Sequence, residues 1–122
     1  MAQMHPLVRT HPTTGQRVLY ANGIYTRHIR GLPEADDPAA LLRELCSLPG
    51  IPEFQARLSW QSAGDFAVWD NRQLQHYAVA DYGGLADTTR LMEHSASLGT
   101  RPFFRRDDGT EVHSRFAERT AL

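Results

Sequence analysis

The hydrophobic period changes between Ser47 and Phe54, and this limits the chain to a fold in which one helix is set apart from short strands. Before the change, Leu41, Leu42 and Leu45 recur at helical spacing while Arg43 and Glu44 take the opposite face. Asp37 is a good N-cap, Pro38 suits the first helical position, and Pro49-Gly50 closes the element. The spacing therefore predicts an amphipathic helix over Asp37 to Ser47. After the change, Phe54, Ala56, Leu58 and Trp60 alternate with Gln55, Arg57, Ser59 and Gln61, the pattern of a half-buried strand. Ser62-Ala63-Gly64-Asp65 predicts a turn and Phe66 to Trp69 a second strand. Gln75 to Ala78 and, after the Gly83-Gly84 loop, Arg90 to Leu98 predict two more.

Upstream, His5 to Arg9 reads as extended, and His11-Pro12-Thr13-Thr14-Gly15 is punctuated as a turn. Arg17 to Tyr20 then reads as a strand, so the two make a hairpin, and Asn22 to Arg30 reads as loop. The expected class is mainly β with one helix, an α+β chain whose antiparallel strands form a sandwich or barrel. The stretch from Arg105 is charged and is expected to fray as a flexible tail over 106–122.

Length and charge narrow the function classes. The 122 residues suffice for one domain, and a charged fraction of 22% beside a hydrophobic fraction of 41% is that of a folded chain. A net charge of −1 with interleaved signs argues against nucleic-acid binding. No apolar run approaches the roughly 20 residues of a membrane span, and Met1 to Thr10 has no signal-peptide core. The expectation is a cytoplasmic protein with no membrane or nucleic-acid partner. The one cysteine, Cys46, excludes an internal disulfide and a thiolate metal site.

Six histidines, at 5, 11, 28, 76, 94 and 113, are the main candidates for chemistry. A lone histidine is most often a surface or core residue. His76 stands out because it follows a strand end in Trp69-Asp70-Asn71-Arg72-Gln73-Leu74-Gln75-His76, where aromatics mix with Asp, Asn and Arg at a loop. A hydrolase triad from Ser59 or Ser62, His76 and Asp70 is a weak reading, because no Gly-x-Ser-x-Gly elbow is present. Clustered zinc ligands are absent from the sequence pattern.

Trp69-Asp70-Asn71-Arg72, Gln75-His76-Tyr77-Ala78 and Asp81-Tyr82 together resemble a signature of the taurine dioxygenase and 2,4-D dioxygenase (TauD/TfdA) family. His5-Pro6-Leu7-Val8-Arg9-Thr10-His11-Pro12 with Gly15 and Leu19-Tyr20 is similar to the segment that family carries before its helix. Pro52 to Gln55 with Trp60-Gln61 and Asp65 resembles its strand leading into the motif, and Pro102-Phe103-Phe104 its closing residues. The resemblance implies that residues 5–105 are the C-terminal half of such a domain, part of a double-stranded β-helix or jelly roll. It implies a two-histidine, one-carboxylate site for Fe(2+), with 2-oxoglutarate as cosubstrate and O2 as oxidant. A small organic substrate such as taurine, an alkyl sulfonate or a sulfate ester is hydroxylated, with release of succinate and carbon dioxide. On this sequence the resemblance makes His76 the distal iron ligand and Arg90 the group that grips the 2-oxoglutarate carboxylate. A planar, permanently charged guanidinium suits that task.

Two departures shape the expectation. The family takes its other ligands from a His-x-Asp motif in the preceding half, whereas the residues two places after each histidine here are Leu7, Thr13, Arg30, Ala78, Ala96 and Arg115. One ligand holds iron poorly. Four residues after Arg90, where the family usually has a second arginine for cosubstrate or sulfonate, stands His94, a shorter and often neutral donor. The chain by itself is expected to be inactive and to need a second chain to complete the barrel. The alternative is a non-catalytic remnant or interaction module that pairs through strand edges.

Overall fold

The structure, a computed structural model, describes residues 3–33, 36–80 and 91–116. Its elements are β1 (Gln3–Met4), β2 (Val8–Thr10), β3 (Arg17–Leu19), α1 (Pro38–Ser47), β4 (Phe103–Arg105), β5 (Glu111–His113) and β6 (Arg115–Phe116). The strands form three two-stranded antiparallel ladders, β1-β6, β2-β3 and β4-β5. With one helix, the described residues are α+β.

The first hairpin forms where the Pro/Gly punctuation places it. Val8, Arg9 and Thr10 face Leu19, Val18 and Arg17. His11 N–H donates to Gln16 O at 2.8 Å and Gly15 N–H to His11 O at 2.9 Å. Gly15 closes this turn at φ +73°, a conformation that glycine adopts without Cβ strain. The helix also forms as expected. The Asp37 carboxylate accepts from the N–H groups of Ala39 (3.0 Å) and Ala40 (2.9 Å), satisfying two donors of the first turn. Leu48–Gly50, a 3-10 turn, ends it. The helix packs at Cys46 against Gly23, where an added Cβ would lie 3.8 Å from that of Cys46.

Two expectations differ from the structure. The charged stretch after Arg105 is ordered through Phe116. Arg105 and Glu111 occupy opposing register positions and pair at 2.8 Å, so the charges that suggested solvation hold the β4-β5 hairpin together. Gly109, at φ +84°, closes its turn, and Asp108 accepts from Thr110 N–H at 2.9 Å. Arg17 of the first hairpin forms an ion pair with Asp107 of the second. The second difference concerns the predicted strands at Phe54–Gln61, Phe66–Trp69 and Gln75–Ala78, which carry no ladder among the described residues. Only the turn between the first two forms, with Asp65 accepting from Gln61 N–H (2.7 Å) and Ser62 N–H (3.0 Å). Residues 91–98 carry no ladder either, and Arg90, which opens that predicted strand, lies outside the described residues. Period-two patterning states which face of a strand is apolar, but a ladder also needs a neighbouring backbone in register, and none pairs with these segments among the described residues.

The core is small and partly polar. Among the described residues the buried ones are Thr10, His11, Ala21, Phe103 and Ser114. Phe103, the one large apolar side chain of that set, contributes about 1.5–3 kcal/mol by the usual burial scale. Thr10 joins β2 to β4 by accepting from Arg105 N–H at 2.9 Å. Ser114 Oγ donates to Pro102 O at 2.9 Å, so its 2.7 Å contact with His5 is donated by the imidazole Nδ1. Phe66 and Val68, in contrast, are 86% and 89% exposed.

Candidate functional site

The loop from Trp69 to His76 is held from beneath by the first hairpin and the turn that follows it. Asp70 is the fastening point. Its Oδ1 accepts from Arg72 N–H (2.9 Å) and Arg72 Nε (2.8 Å), and its Oδ2 accepts from Arg72 Nη2 at 2.6 Å. Oδ2 also meets His11 Nε2 at 3.1 Å, across 59 residues of sequence. The Arg72 guanidinium foremost, then the Arg72 N–H and the His11 ring, hold the Asp70 carboxyl well below the usual carboxylate range. The same ion pair raises Arg72.

Neighbouring contacts extend this fastening. Arg9 Nη2 donates to Asn71 O at 3.0 Å, and its guanidinium carbon lies 4.1 Å from the Tyr20 ring centroid. Burial lowers the Arg9 pKa, offset by Tyr20 and Asp70, and its buried Nε has no hydrogen-bond partner. Trp69 Nε1 donates to Asn71 Oδ1 at 2.7 Å, which orients the indole. At the other end of the loop Gln75 Nε2 donates to Ala21 O (2.6 Å), while its Oε1 accepts from Asn22 Nδ2 (3.1 Å). His76 follows this anchored residue directly in sequence.

The Trp69 indole is where the two described site histidines meet. The His76 ring lies 4.7 Å from it, tilted by 53°, and the His94 ring 6.3 Å from it, stacked at 29°. His76 is exposed, so its ring nitrogens are open to a ligand. Arg90, the third sequence candidate, lies outside the described residues. The hydrolase arrangement does not form around Asp70, whose oxygens are taken by Arg72 and His11. His11 and Arg9, by contrast, act in this site without having been singled out from sequence. The available signals were their place beside a Pro/Gly turn and within the family-like segment His5 to Pro12.

Iron(II) in a facial triad needs three His or carboxylate donors converging on one point. Among the described residues, no group of three His, Cys, Asp or Glu side chains is placed to hold a metal ion. These residues by themselves do not fit an iron centre. A crevice lined by Arg9, Thr10, Arg72, Arg101 and Phe103 measures about 20 Å³, room for a single water and too small for an organic substrate. Among the described residues, no helix is long and apolar enough to cross a membrane.

Comparison with known proteins identifies the family of the chain. The family model described as "Taurine catabolism dioxygenase TauD, TfdA family" matches residues 1–95. The alpha-ketoglutarate-dependent dioxygenase oryG of Aspergillus oryzae is 34% identical over 102 residues, covering 83% of this chain and 29% of its own length. An alpha-ketoglutarate-dependent sulfate ester dioxygenase of Pseudomonas putida is 44% identical over 82 residues, 65% of this chain and 25% of the relative. An alkylsulfatase of Acinetobacter baylyi is 40% identical over 79 residues, 65% of this chain and 24% of the relative. No solved structure matches. The chain therefore spans 24–29% of the length of these curated relatives. With its matched segment containing the loop of Trp69 and His76, the chain belongs to the TauD/TfdA family of dioxygenases.

Proposed function

We propose that residues 5–105 are the C-terminal half of a TauD/TfdA-like dioxygenase domain, and that a complementary segment completes its jelly roll. The activity is Fe(II)- and 2-oxoglutarate-dependent hydroxylation, by O2, of a small organic substrate such as taurine, an alkyl sulfonate or a sulfate ester. His76 serves as one iron ligand and Arg90 grips the 2-oxoglutarate carboxylate, while His94 lines the cosubstrate or substrate side. The remaining ligands come from the complementary segment. One observation carries this reading: His76 sits exposed against Trp69 on a loop fastened at Asp70 and Gln75. Rigid presentation of an accessible imidazole is what a metal ligand requires and a surface histidine does not. The sulfate ester dioxygenase and alkylsulfatase among the relatives support the substrate class.

Co-expression with the portion of the Pseudomonas putida relative that this chain does not match tests the proposal. Succinate formation that needs both iron(II) and 2-oxoglutarate, and is lost on His76→Ala, is the expected result. A purified complex with no such turnover would refute it.

A second reading is favoured by a separate observation. Phe54, Leu58, Phe66 and Val68 are exposed along segments with strand periodicity. A non-catalytic interaction module would pair through these segments, and its partner binding would be indifferent to His76→Ala and to added metal.

A further inference from the structure

The fastening of the site loop depends on a histidine whose two ring nitrogens have different partners. Nδ1 of His11 faces two backbone donors, Thr13 N–H at 3.3 Å and Thr14 N–H at 3.1 Å, within its own turn. A nitrogen that accepts from N–H groups carries no proton. Nε2 must then carry the hydrogen, and it points at Asp70 Oδ2, 3.1 Å away. The ring is 3% exposed, so water does not compete for either contact. The turn thereby selects one neutral tautomer, and the tautomer selects an acceptor 59 residues away.

We propose that His11 is a positioning residue for the Trp69–His76 loop, acting as the Nε2-protonated tautomer that links the β2-β3 turn to Asp70. The groups around this link are few. Arg72 occupies the other approaches to Asp70, and Arg9 holds Asn71 O alongside. Arg72 is only two residues from Asp70 and moves with it, so it shapes the loop without anchoring it. His11 and Arg9 belong to the hairpin and supply the anchorage. Trp69 precedes Asp70 directly and carries the His76 contact, so displacement of Asp70 reaches His76 through one indole. The consequence for iron binding rests on the proposed role of His76, whereas the link itself exists without metal.

Two-bond proton–nitrogen correlation of the histidine rings, recorded on the metal-free chain at a monomeric concentration, tests the link apart from any activity. The expected spectrum has His11 unprotonated at Nδ1 and protonated at Nε2. Two variants divide its roles. His11→Asn keeps an acceptor near the Thr13 and Thr14 N–H groups but does not reach Asp70, and His11→Gln keeps a donor that does. The Trp69 indole N–H and His76 ring resonances should stay near their wild-type positions in His11→Gln. In His11→Asn they should move to unstructured-peptide positions. The proposal is overturned by an Nδ1-protonated or mixed tautomer, by His11→Asn spectra that match wild type, or by equal loss in both variants with the hairpin intact. If both variants lose the hairpin, the wild-type tautomer alone decides.

Discussion

At the scale of single residues, the site is a matter of which polar atoms find partners. Asp70 has a depressed pKa, so it stabilises the folded loop above its unfolded value of about 4. That contribution is lost as pH falls from there through the lower folded value. The Trp69 indole N–H resonance should accordingly hold its folded position while Asp70 stays ionised and collapse progressively as pH falls below about 4 and through the lower folded value. Asp70→Asn should show the collapsed position even at pH 7, and a wild-type spectrum from that variant would contradict the assigned role. His76 stood out in the sequence because it follows a mixed aromatic and polar loop, and the structure sets its ring against Trp69. His11 was not, because its importance lies in a partner distant in sequence, and no local pattern encodes that pairing. His94 was read as a departure from an arginine, and the structure adds that it stacks on the same indole as His76.

At the scale of elements, local signals succeeded where local chemistry decides. Asp37 followed by Pro38 starts α1 as expected, because the cap satisfies donors two and three residues on. Asp37→Ala should cost about 1 kcal/mol of helix stability and speed amide exchange at Ala39 and Ala40. Unchanged exchange there would count against the cap. The β2-β3 hairpin was legible for the same reason, its turn being written in Pro12 and Gly15. The order after Arg105 was not legible, since its charges are paired across a hairpin and between hairpins. Gly109→Ala, at a positive φ, should destabilise the β4-β5 hairpin by roughly 1 kcal/mol, seen as weaker protection of the Arg106 amide that bonds Thr110 O at 2.8 Å. The same protection in the variant as in wild type would mean that the turn tolerates a side chain. The strand signals from Phe54 to Ala78 are not met by ladders among the described residues, because pairing depends on backbones that those residues do not contain.

At the scale of the molecule, the described residues form one supported loop beside segments whose apolar side chains meet solvent. Their buried set holds one large apolar side chain, while Phe54, Leu58, Phe66 and Tyr77 are each more than two-thirds exposed. Such a surface should bind the dye 8-anilinonaphthalene-1-sulfonate and drive concentration-dependent association in sedimentation. Complementary strands should suppress both, whereas a dye-silent monomer would show that the faces are covered by this chain itself. The chain covers 24–29% of the length of the named relatives, and the proposed function takes the remaining ligands from a complementary segment. The most direct test is an anaerobic iron(II) titration, with 2-oxoglutarate present, of the chain joined to that complementary segment. The account predicts the weak visible charge-transfer band of the chelated complex, and its disappearance on His76→Ala. No band, or a band indifferent to His76→Ala, would contradict it.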